Sequence, residues 1–135
     1  TNKVKFALKI FDYIHSLDSE KLANKISDEQ QKHKKKPKIF IQVNLGNEVQ
    51  KSGIDKRNLN DFYKFCKTLN LDIIGTMCIP PNDGYTKKYF SEMSDLNKKL
   101  NFKELSMGMS EDYLEAIRYN ATYIRVGSKI FGSRS

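Results

Sequence analysis

Short apolar runs alternate along this chain with longer stretches in which apolar residues recur every three to four positions. Five runs rich in β-branched or aromatic residues read as strands: Tyr13–Leu17, Lys38–Asn44, Leu71–Ile79, Glu104–Ser106 and Tyr123–Val126. The runs KIFIQVN and LDIIGTMCI are apolar at nearly every position, as expected of strands buried on both faces of a parallel sheet. Helical periodicity fills the intervals. Lys3–Phe11 is amphipathic, and Ser19 stands as an N-cap before a helix reaching about Lys32. Asp55–Leu69 carries Leu59, Phe62, Phe65, Cys66 and Leu69 on one stripe. Tyr85–Leu100 and Ser110–Tyr119 repeat the pattern, and their aromatic and Met stripes read as core.

The predicted order is α-β-α-β-α-β-α-β-α-β. Successive strands lie roughly 20 to 35 residues apart, the spacing of a helical crossover. That spacing predicts a parallel sheet, either doubly wound or a (β/α) barrel. A complete eight-stranded barrel takes about 250 residues. With 135 residues the expectation is one α/β domain, a partial TIM-type (β/α) barrel of about five parallel strands with flanking helices.

Composition narrows the function. With 39% hydrophobic and 30% charged residues the chain is globular, and no apolar run is long enough to span a bilayer. No N-terminal segment resembles a secretory signal, and Cys66 and Cys78 form no CxxC pair. Two buried thiols in a reducing compartment, and a cytoplasmic location, are expected. The chain starts at Thr1 without an initiator Met, as expected of a fragment or processed product. The net charge of +8 raises the question of nucleic acid. Yet the lysines are spread along the sequence, and the one dense run, Lys32-His33-Lys34-Lys35-Lys36, reads as a solvated loop. Nucleic-acid binding is therefore not expected.

In parallel α/β folds the functional ends of strands are their carboxyl ends. In order these are His15 and Asp18, Asn44, Met77–Pro81, Ser106–Ser110 and Arg125–Ser128. The last two segments are small-residue turns, Ser-Met-Gly-Met-Ser and Arg-Val-Gly-Ser. A helix opening at Ser110 would present free amides and its positive dipole end to a phosphate, and Gly127-Ser128 would add an amide and a hydroxyl. Alone, the first turn equally fits a plain helix N-cap; paired with the second, it points to a phosphate held between them. Arg125 sits two residues before Gly127, where its side chain points the same way or makes a surface salt bridge. No nucleophile–base pair and no metal-ligand spacing is present.

The stretches FIQVNLGNEVQKSGI, IIGTMCIPP, YFSEMSDL, LSMGMSEDYLEAI and IRVGSKIFGSR resemble, in this order, the pyridoxal-phosphate homeostasis protein family, also called YggS or PROSC. The resemblance covers essentially the whole chain, with TNK and IHSLDSEKLA matching the preceding segments. It implies a barrel similar to the amino-terminal domain of alanine racemase, with pyridoxal 5′-phosphate (PLP) as cofactor and a non-enzymatic carrier role. By motif, Ser106, Met109 and Ser110 belong to the first phosphate-facing turn, Gly127 and Ser128 to the second, and Arg125 to the pyridine nitrogen. The family's Schiff-base lysine falls on an earlier strand, and no lysine of this chain occupies its motif position. A PLP racemase or decarboxylase is the alternative, and a basic nucleic-acid module the remote one. A partial barrel also exposes strand edges, so self-association or completion by another segment is expected.

Overall fold

A computed structural model describes residues 13–46 and 52–125. The elements follow the predicted rhythm. They are β1 (Tyr13–Leu17), α1 (Glu20–His33), β2 (Lys38–Asn44), the two-residue β3 (Ile54–Asp55), a 3-10 turn (Lys56–Asn58) and α2 (Leu59–Thr68). Then come β4 (Asp72–Met77), α3 (Thr86–Lys99), β5 (Glu104–Met109), α4 (Tyr113–Arg118) and β6 (Tyr123–Arg125). All pairings are parallel, and the order across the sheet is β1-β2-β4-β5-β6, with β3 attached to β2. Neighbours in sequence are neighbours in space, so the sheet winds in one direction and forms a half-barrel with helices outside. The predicted helix Lys3–Phe11 and Val126 of the last predicted strand lie outside the described residues.

Local chemistry sets the boundaries. Ser19 is extended and its hydroxyl accepts from the Leu22 amide at 3.1 Å, capping α1 as expected. At the other end the four described helices stop alike. Lys34, Asn70, Asn101 and Asn120 adopt left-handed φ values of 51°, 60°, 60° and 77°. The next amide then donates five residues back: Lys35 to Gln30, Leu71 to Cys66, Phe102 to Asn97 and Ala121 to Ala116. This closure satisfies the last carbonyls of each helix, and asparagine tolerates the left-handed turn better than most residues.

The helix predicted from Asp55 starts only at Leu59, because Ile54–Asp55 pairs as a strand and a 3-10 turn follows it; two further differences lie at the Ser106–Ser110 segment. β5 continues to Met109, so this segment is mostly strand and not a turn. The helix opens at Tyr113, three residues later than expected. Gly108 explains both. Its φ is +109°, and a Cβ there would lie 2.8 Å from the Ala116 Cβ. The glycine lets β5 pass directly beneath α4.

The core fills the convex side. Ile39, Ile41, Val43, Leu105 and Met107 point outward against α1 residues Ala23 and Ile26, α2 residues Leu59, Phe62 and Cys66, and α3 residues Phe90 and Met93. Thr76, fully buried, donates to the Asn97 side chain at 2.7 Å, whose amide donates to the Glu104 carbonyl at 2.8 Å. That relay ties β4, α3 and β5 together. Among the described residues no helix is long and apolar enough to cross a membrane.

Candidate functional site

Because every strand is parallel, their carboxyl ends form one rim. On the β1–β2 side the loop carrying Ser52 and Gly53 closes over it. The Gly53 amide donates to Asp18 Oδ2 at 3.0 Å. Gly53 has φ +119°, and a Cβ would stand 2.7 Å from the Asn44 amide nitrogen, so only glycine lies this flat on β2. The Asn44 carboxamide oxygen accepts from the Gly46 amide at 3.1 Å. Behind this loop opens a cavity of about 350 Å³, lined by Gln42, Asn44, Gly46, Ser52, Ile79 and Pro80. It lies at the ends of β2 and β4, where small-ligand sites of barrels form. A wider cleft of about 780 Å³ lies between the starts of α3 and α4, with Tyr85 and Leu114 on its walls. It faces outward between helices, so the strand-end cavity is the better candidate, although Ser110 lines the wider cleft.

The predicted site residues divide by position. β5 and β6 are adjacent, with Met109 directly opposite Arg125. Two residues more than a dozen positions apart thus meet at the rim, with Ser110 next in line. Met109 is 43% exposed there. Its amide is already engaged, donating to Asp112 Oδ1 at 2.7 Å, while the Asp112 amide returns a bond to the Met109 carbonyl at 3.1 Å. Ser106 does not reach the rim. It lies three residues lower in β5, fully buried, about 10 Å below Met109 along the strand. Gly127 and Ser128 lie outside the described residues.

Ser106 instead belongs to a cluster on the concave face that the sequence did not reveal. Its Oγ lies 2.9 Å from His15 Nδ1, one group donating according to the imidazole tautomer. The His15 ring stacks on Phe40 with centroids 4.4 Å apart, and Tyr123 meets Phe40 edge-on at 5.0 Å. Tyr13 packs on Tyr123 at 5.7 Å. β1 and β6 are the first and last strands in the sheet order, yet their side chains touch. The sheet therefore curls far enough for its two edges to fill the concavity. The Tyr13 side chain, and secondarily burial, push the Tyr123 phenol up to about 12. On the convex side, burial, followed by the Glu20 charge, pushes the Cys66 thiol up to about 12, which makes it a poor nucleophile. Among the described residues no cluster of His, Cys, Asp and Glu could hold a metal ion.

Known proteins show which family the chain resembles. A pyridoxal phosphate homeostasis protein of Aquifex aeolicus is 35% identical over 144 residues, covering 99% of this chain and 63% of that protein. One from Pasteurella multocida is 33% identical, with 62% of its length covered. The chain thus spans somewhat under two thirds of these relatives. The structure of PipY from Synechococcus elongatus with PLP bound superposes with a TM-score of 0.86 at 32% identity, covering 97% of this chain and 66% of that one. The family model described as alanine racemase, N-terminal domain, matches residues 2–135, and this chain belongs to that family.

Proposed function

We propose that this chain forms the phosphate-holding part of a PLP-binding (β/α) barrel that carries the cofactor without turning it over. The observation that carries the reading is the register that sets Met109 opposite Arg125. It brings the Met109–Ser110 corner beside the segment leading to Gly127 and Ser128, as a phosphate cup between adjacent strand ends requires. The relatives' names and the PLP-bound PipY support the same cofactor. In this reading the Ser110 and Ser128 hydroxyls and the Gly127 amide hold the phosphate, and Met109 packs beside it. Arg125 faces the ring nitrogen, where a fixed positive charge disfavours protonation. Ser106 acts from one layer below by holding His15.

Bound PLP supplies an aldehyde and an electron-withdrawing ring. An arginine at the nitrogen weakens that withdrawal, which suits a carrier. In this reading the residues named above hold the phosphate and the ring, and none of this chain's lysines matches the family's anchoring position, in a cytoplasmic protein.

A PLP absorbance titration, followed by borohydride reduction and mass spectrometry, tests this. The expected result is saturable, reversible binding with no pyridoxyl mass on any lysine, weakened by Ser110→Ala and Arg125→Ala. A reduced adduct on a lysine of this chain, or a spectrum and affinity untouched by both substitutions, would overturn the assignment.

A further inference from the structure

The lysines that look dispersed in the sequence are gathered by the fold. Each helix runs back against the parallel strands, so every helix end and every strand start lies at the same end of the half-barrel. All four helices carry basic residues in the last turn: Lys32 and His33 in α1, Lys67 in α2, Lys98 and Lys99 in α3, Arg118 in α4. The shared left-handed closure brings each of these turns into its strand in the same way. Lys34, Lys36, Lys38 and Lys103 follow in the loops and strand starts, all exposed.

A cation in the last helical turn complements the helix dipole, which accounts for about one per helix. It does not account for the loop lysines. Of the acids near this end, Glu29 is fully buried and Asp72 and Glu104 are half-buried, while Asp28 and Asp95 stay exposed about one turn back from the helix ends. Among the described residues, Lys34, Lys36, Lys67, Lys98 and Lys103 form no ion pair. Toward the rim end Arg57 pairs with Asp55, Lys56 with Glu92 and Lys87 with Glu115. Among the described residues the net positive charge therefore lies toward the end opposite the cofactor.

We infer that this basic end binds the phosphate backbone of single-stranded nucleic acid. A bilayer surface fits less well, because docking to lipid also needs apolar side chains to insert. Most exposed apolar side chains, Ile79, Tyr85, Met109 and Leu114, lie toward the rim end. The basic end instead offers Tyr13, 37% exposed with the Lys38 ammonium 5.9 Å from its ring, a place for a base to stack beside a phosphate contact.

Fluorescence anisotropy of a labelled single-stranded RNA tests the inference. With about five phosphate contacts, affinity falls about a hundredfold between about 50 and about 200 mM salt. Lys34→Glu/Lys36→Glu weakens binding about tenfold or more and flattens that salt dependence. Lys21→Glu/Lys25→Glu, an equal charge change at the other end of α1, changes it less than about twofold. Circular dichroism confirms that both doubles keep the parent fold. No binding at low salt, equal weakening by the two doubles, or capture by phosphatidylserine vesicles but not RNA would overturn the assignment.

Discussion

The two faces of the sheet are filled in different ways. The convex face is a conventional core: Ile39, Ile41 and Leu105 pack on Ile26, Leu59 and Phe90 from three helices, and nearly all are fully buried. The concave face is filled by the sheet itself, with His15 and Tyr13 from one edge meeting Ser106 and Tyr123 from the other side. The first face has a partner layer, and the second relies on curvature. A half-barrel of five strands thus buries the middle of its concave face, Phe40 above all, by bringing its edges together. Polar and aromatic residues suit that face because their rings bridge a wide gap and their polar tips find partners.

The largest expected effect is on the sheet that both faces share. A Cβ on Gly75 would lie 1.9 Å from the Glu104 carbonyl oxygen. Gly75→Ala must part β4 from β5 and break ladder hydrogen bonds as well, and denaturant unfolding should show a loss of about 5 kcal/mol or more. Next come two fully buried phenylalanines, one per face. Phe90→Ala, on the helix side, should cost about 3 to 5 kcal/mol. Phe40→Ala should cost nearer 2 kcal/mol, because a concavity closed only by its own edges can relax into the space. Equal losses would break the comparison.

Ser106→Ala should cost about 1 kcal/mol, the ordinary worth of one buried hydrogen bond, and loosen His15 without disturbing the helices. The smallest effect is a titration. The Tyr123 pKa is raised in the folded state, chiefly by Tyr13, from 10.0 to about 12. Its contribution to stability is present below pH 10 and lost as pH rises toward 12. Tyr13→Phe should lower that transition, visible in an ultraviolet titration of tyrosinate. The Cys66 thiol, raised chiefly by burial, should keep resisting alkylation in the same variant.

The fold was legible because its signals are local. KIFIQVN and LDIIGTMCI announced central strands, Ser19 announced a helix start, and the crossover spacing announced a parallel sheet. The misjudged part was the Ser106–Ser110 segment. Its glycine reads as a turn, whereas Gly108 lies in β5 and allows a close approach to Ala116, and nothing in the neighbouring residues signals that approach. Asn70, Asn101 and Asn120 were legible in principle: each sits between apolar residues at the close of a helical stripe.

The sequence by itself determined the order of elements, the direction of the sheet and the family resemblance, because periodicity and motif spacing act over a few residues. Only the tertiary structure decided what meets. His15 and Ser106 are 91 residues apart, and no periodicity links them; sheet curvature does. Met109 faces Arg125 through strand register, and scattered lysines share one end because parallel strands bring every return helix to a stop there. Such contacts depend on how distant segments pack, a property of the whole chain that no short window of it contains.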